Sequence, residues 1–166
     1  MELKKFTRLT MLLALSVVLN IIESFIPFVG GSIPGLKLGL ANIIVLLVLY
    51  LFSFKEALYI SILRVILVGI LRTGLFSMTF FFSLGGAILS VIVMYLVKKT
   101  KLSIIGVSIL GSIGHSVGQI LIAIVLLKNI YILSYTPWLL LFSIPTGIFT
   151  GIVSKKLVQN LETRLK

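Results

Sequence analysis

Cysteine is missing from the 166 residues, and so is aspartate; the acids are Glu2, Glu23, Glu56 and Glu162 alone. Without cysteine there is no disulfide, no thiolate nucleophile and no zinc–thiolate site. A single histidine, His115, with neither Cys nor Asp beside it makes a poor metal site, and no Ser/His/acid set appears. The segment Gly30-Gly31-Ser32-Ile33-Pro34-Gly35-Leu36-Lys37 lacks the Gly-Lys-Ser/Thr core of a phosphate-binding loop, which excludes ATP hydrolysis by that route. No catalytic residue, metal or cofactor is therefore expected. Charge is scarce as well: 11% of residues are charged, against roughly 25% in a soluble domain.

What fills the chain instead is apolar. Hydrophobic residues make up 59%, and the mean hydropathy is +1.25. A helical span takes about 20 such residues. Charged residues and turns divide the chain into six, at about Leu9–Pro27, Leu38–Phe54, Ala57–Leu71, Leu75–Val97, Leu102–Leu127 and Tyr131–Ser154. The expected fold is an all-α integral membrane protein, a six-helix transmembrane bundle forming a single domain over residues 1–166, with a basic amphipathic tail. The start, Lys4-Lys5-Phe6-Thr7-Arg8 before an apolar run, has the look of a signal peptide. No small-residue cleavage site follows it, so it reads as a retained first helix.

The net charge of +11 would suggest nucleic acid in a soluble protein. Here the basic residues cluster at span ends, and no basic stripe alternates with exposed aromatics, so no nucleic-acid partner is expected. Loop charge sets orientation instead. With the N-terminus inside, Lys4, Lys5, Arg8, Lys55, Lys98, Lys99, Lys101, Lys155, Lys156, Arg164 and Lys166 are cytoplasmic. Lys37, Arg72 and Lys128 are outside, and Arg64 is within the membrane. Both termini are expected in the cytoplasm.

Polar residues within the spans fall on helical stripes. They are Ser16, Asn20 and Glu23; Thr79, Ser83, Gly86 and Ser90; Ser108, Ser112, His115 and Gln119; and Ser143, Gly147, Gly151 and Ser154. Small residues on one face usually serve close helix packing, and the fourth and sixth spans are read that way. Large polar groups cost more, since a mid-membrane charge costs at least about 2.5–3.5 kcal/mol. Under the inside-out alternation, Asn20, Glu23 and Asn42 lie in the outer half. Arg64 and His115 lie near the midplane, Gln119 one turn further out, and Lys37 and Arg72 at the outer rim. These eight form the candidate substrate-binding set, a pocket open to the outside. The plainer reading is a Glu23–Arg64 pair bracing the bundle, with His115 a hydrogen-bonded core residue. Cations outnumber anions in the set, which favours an anionic or strongly polar head group, because guanidinium binds carboxylate and phosphate bidentately. Phe76, Phe80, Phe81 and Phe82 mark the outer end of the fourth span. They either touch an apolar part of a ligand or sit in the interfacial belt. Phe28–Lys37, freed by Gly30, Gly31 and Gly35 and stiffened by Pro34, is expected to cover the pocket.

Pro34-Gly35-Leu36-Lys37-Leu38-Gly39-Leu40-Ala41-Asn42 carries a family resemblance, joined by Glu23-Ser24 before it and Gly114-His115-Ser116-Val117-Gly118-Gln119 after it. The chain resembles the Gx transporter family, whose members also carry the name heptaprenyl diphosphate synthase component I. That family is similar to the substrate-binding S components of energy-coupling-factor transporters. The resemblance implies a six-helix bundle in the bacterial cytoplasmic membrane, an outward pocket for a small-molecule substrate, and a partner set of a transmembrane coupling protein with ATPases. The coupling motif of small residues in the first helix is reduced here to Thr10 and Ala14. Polyprenyl synthases hold magnesium diphosphate through Asp-rich motifs, so a chain without Asp is not the catalytic subunit of that class. An isoprenoid- or quinone-related solute, or a role as a non-catalytic membrane subunit of such a system, remains open on the sequence.

Overall fold

The structure, a computed structural model, describes residues 2–25 and 39–165. Among them are six α-helices: α1 (Glu2–Glu23), α2 (Leu40–Leu51), α3 (Phe54–Val68), α4 (Met78–Lys98), α5 (Ile104–Leu127) and α6 (Thr136–Leu165). A π-turn, Gly69–Thr73, prolongs α3, and a 3-10 turn, Ile130–Tyr135, precedes α6. Four helical stretches, at residues 3–23, 78–98, 104–127 and 130–161, are long and apolar enough to cross a bilayer. The protein is thus an all-helical membrane protein.

The helix ends follow local chemistry. Ser77 caps α4 by accepting from the Phe80 N–H at 3.2 Å, and Ser103 caps α5 by accepting from Gly106 N–H at 3.2 Å. Gly74, at φ +84°, makes the left-handed turn before α4 that other residues resist. The sixth helix does not stop at Ser154 as expected. It runs to Leu165 and takes in the basic tail, with Val158 buried.

The second span departs further from expectation. Its helix covers 12 residues, roughly 18 Å at 1.5 Å each, against a hydrocarbon core of about 30 Å. Nearly all of it is buried: Ala41 and every residue from Ile43 to Leu49. Ile44, Val45, Leu46, Val48 and Leu49 form the central cluster with Ala57 and Ile60 of α3, Val91 and Met94 of α4, and Val107 of α5. The most apolar helix of the chain is therefore an internal post, packed on α1, α3, α4 and α6, rather than a lipid-facing span.

A buried helix still has orphan N–H groups at its start and orphan carbonyls at its end. Gly39, at φ +76°, has no side chain with which to cap α2. The Glu23 carboxylate of α1 does so instead, accepting from Gly39 N–H at 2.5 Å and Leu40 N–H at 3.1 Å. At the other end Lys98 of α4 donates to the Leu49 carbonyl at 2.7 Å. An anion at the N-terminus and a cation at the C-terminus both complement the helix dipole.

The α4–α5–α6 seams are built on glycine. A Cβ on Gly118 would lie 2.5 Å from the Gly85 carbonyl oxygen, and one on Gly147 would lie 2.6 Å from Ile109 Cα. Ser90 donates to the Gly111 carbonyl at 2.8 Å, and Ser108 and Thr150 share a hydrogen bond at 2.8 Å. The stripes on the fourth and sixth spans thus act largely as close-packing faces.

At the basic end, Lys5 of α1 pairs with Glu56 in the first turn of α3, and Ser53 donates to the same carboxylate. The Lys5 hydrogen bond holds the Glu56 carboxyl below its ordinary value of 4.5. A carboxyl depressed on folding stabilises above its unfolded value, and the gain is lost as pH falls through the folded one. The pair is partly exposed, so its contribution is about 0–1 kcal/mol. The unfolding-temperature gap between the wild type and Glu56→Gln should accordingly be small at pH 7 and close below the carboxyl's ordinary range. A gap that is unchanged at pH 3 argues against the pairing.

Candidate functional site

The helix directions bring the polar residues together. α1 ends, α2 begins, α3 ends, α4 begins, α5 ends and α6 begins at one end of the bundle, the Glu23 end. In the half nearest that end lies a cavity of about 50 Å³. It has room for a few groups of water size, taken at roughly 10–15 Å³ each. Every helix contributes to the wall: Asn20 and Glu23 from α1, Asn42 from α2, Arg64 from α3, Ser83 from α4, His115 from α5 and Thr146 from α6, among others.

Arg64 dominates its electrostatics. It is 3% exposed and is the eleventh residue of a helix that packs on α1, α2 and α4. One guanidinium nitrogen, Nη1, donates to Asn42 Oδ1 at 3.3 Å. Its Nε is buried without a hydrogen-bond partner among the described residues. The Glu23 carboxylate attracts the guanidinium electrostatically while anchored on the α2 N-terminus. A guanidinium carries five N–H donors, and a buried one left unsatisfied is costly. The cavity is therefore a place where a cation is held desolvated, with donor capacity to spare.

Five of the eight candidate residues meet here: Asn20, Glu23, Asn42, Arg64 and His115. Gln119 does not line this cavity. It lies one helical turn beyond His115, packs like it against Gly86, and lines a second, larger cavity. Arg72 is exposed at the Glu23 end, where it donates to the Ser24 carbonyl at 3.5 Å and stands 5.7 Å from the Phe25 ring centroid. Its reach is spent on the end of α1. Lys37, with the Phe28–Lys37 segment expected to cover the pocket, lies outside the described residues.

The wall also includes residues that the sequence did not single out. Ser116 follows His115 directly and shares a hydrogen bond at 2.6 Å with Ser143 of α6. Thr146, three residues after Ser143, donates to the Phe142 and Ser143 carbonyls. Ser83 and Ser143, read as packing residues, and Ser112, on the polar stripe of His115, also face the cavity. The signal for them was faint, because serine at helical spacing serves packing and lining equally well.

The second cavity, of about 430 Å³, lies between α4, α5, the 3-10 turn and the start of α6. Phe82, Ile120, Ala123, Leu127 and Ile132 give it an apolar lining. Ser83 and Leu139 line both cavities.

An all-helical membrane bundle around a buried apolar post, with a guanidinium facing an internal polar cavity, defines the class. Within it, the chain belongs to the family described as heptaprenyl diphosphate synthase component I, whose model matches residues 12–157. No curated protein and no solved structure matches the chain significantly.

Proposed function

We propose that the chain is a non-catalytic membrane transport component, binding a small polar, anionic or amphipathic solute, of isoprenoid or quinone type among others, in the Arg64 cavity. The observation that carries this is Arg64 itself, buried on the cavity wall with Asn42 beside it and with Nε unpartnered among the described residues. A charge is kept within a membrane bundle mainly for a ligand or ion path. Both termini lie in the cytoplasm of a bacterial cell under this reading, and the cavity opens outward. In the manner of an S component, a transmembrane coupling protein with ATPases would energise release.

A second reading has one observation in its favour, the family's name. In it the chain is the membrane subunit of a polyprenyl diphosphate synthase or related isoprenoid system, and its partner is a protein. Native mass spectrometry of gently purified protein separates the two. The transport reading expects a small molecule carried through purification. A stoichiometric synthase subunit with no small molecule would sink it. For orientation, a cysteine placed at position 159 of this cysteine-free chain should react only with a reagent that reaches the cytoplasm. Labelling from the outer side alone would invert the topology.

A further inference from the structure

The two cavities differ in chemistry as well as size. The smaller holds Arg64, Asn42 and Glu23; the larger has an apolar lining and about 430 Å³ of space. Ser83 and Leu139 line both, so the two cavities share that wall. A wholly hydrophilic solute bound at Arg64 would leave the larger space unfilled, its lining short of contacts that a chain of carbon atoms supplies. That space is several times the smaller cavity and takes an alkyl tail of on the order of ten carbons.

From this polarity division we infer that the ligand is a single-chain amphiphile: a carboxylate or phosphate head at Arg64, and an apolar tail that passes Ser83 and Leu139 into the α4–α5–α6 cavity. The inference rests on the proposal that the Arg64 cavity binds a solute. Arg64 selects the sign of the head. Phe82 and Ala123 set the bore of the tail chamber, and its far end is framed by Leu127 and Ile132.

The test uses the full chain in phosphatidylcholine nanodiscs, with dodecyl phosphate, ethyl phosphate and dodecyltrimethylammonium as probes. Binding is read from the fluorescence of Trp138, the one tryptophan, beside Leu139. Dodecyl phosphate should bind at least roughly tenfold more tightly than ethyl phosphate, since each buried methylene is worth about fourfold. The cationic amphiphile should not bind. Ala123→Phe narrows the tail chamber and should weaken dodecyl phosphate roughly tenfold while leaving ethyl phosphate unchanged. Ile132→Phe, at the 3-10 rim, carries the same test if Ala123→Phe does not fold, and keeps Trp138 the one reporter. Equal affinity for the two phosphates, or indifference of dodecyl phosphate to a folded tail-chamber variant, overturns the amphiphile and leaves the Arg64 site standing. Binding of the cationic amphiphile as tightly as dodecyl phosphate overturns head selection. No binding of either phosphate overturns the Arg64 site itself. If phosphatidylglycerol nanodiscs abolish dodecyl phosphate binding, the chamber belongs to a bilayer lipid, and the single-chain assignment fails.

Discussion

Arg64→Met abolishes anion binding at the cavity while the purified protein keeps its helical content. The substitution nearly preserves volume and removes the charge and all five donors. A hydrogen bond to a charged group is worth about 1.5–3 kcal/mol, so two such bonds to a carboxylate or phosphate sum to at least about 3 kcal/mol. That is a loss of more than roughly a hundredfold in affinity. Arg64→Lys should fall between, because an ammonium keeps the charge and forfeits the planar fork. Titration calorimetry in nanodiscs with inorganic phosphate and acetate measures both variants. A folded Arg64→Met protein with wild-type affinity would remove the ground for the pocket.

Glu23→Gln should cost more stability than any surface change, about 3–5 kcal/mol. Two effects add. The amide leaves a weaker cap on the α2 N-terminus, where carboxylate oxygens now accept from Gly39 and Leu40. It also leaves the buried Arg64 without the negative charge that attracts it. Removing one partner of a buried charge pair is the costly direction, because the other stays behind uncompensated. The double variant Glu23→Gln/Arg64→Met should therefore be less destabilised than the two single losses summed, a coupling that a double-mutant cycle resolves. Thermal unfolding in mild detergent is the readout. A Glu23→Gln protein within about 0.5 kcal/mol of wild type would show that neither effect operates, for changes that small are typical of neutral surface sites.

Depth was legible in the sequence and azimuth was not. Helix count and charge placement fix how far along its axis each residue lies, which set Asn42, Arg64 and His115 at compatible levels. Which way a side chain turns depends on packing against neighbours. His115 and Gln119 are four apart, share a face by periodicity and both pack against Gly86 of α4, yet they line different cavities. Arg72 illustrates the opposite case, a rim residue whose depth allowed a role and whose local partners, Ser24 and Phe25, take it elsewhere. The role of Glu23 was half visible. Its burial needed a partner, and Arg64 was the charge in view. That backbone N–H groups sixteen and seventeen residues onward would claim its oxygens required knowing that α2 starts at a glycine. The length of α2 was hidden for a related reason: hydropathy registers how apolar a segment is, not whether lipid or protein surrounds it.

The distribution of glycine has a mechanical corollary. Among the described residues, every glycine inside an α-helix belongs to α4, α5 or α6, and none to α1, α2 or α3. Where Gly85 meets Gly118, and Gly147 and Gly151 meet Ile109 and Ile105, backbone rests on backbone. Such contacts cannot slide without collision, so these three helices move as one rigid body. The other half joins through side chains, whose rotamers give way more easily than main chain. If the cavity between the halves swells to admit a head group larger than 50 Å³, the strain falls on α1, α2 and α3. The far three serve as the anvil against which the volume changes.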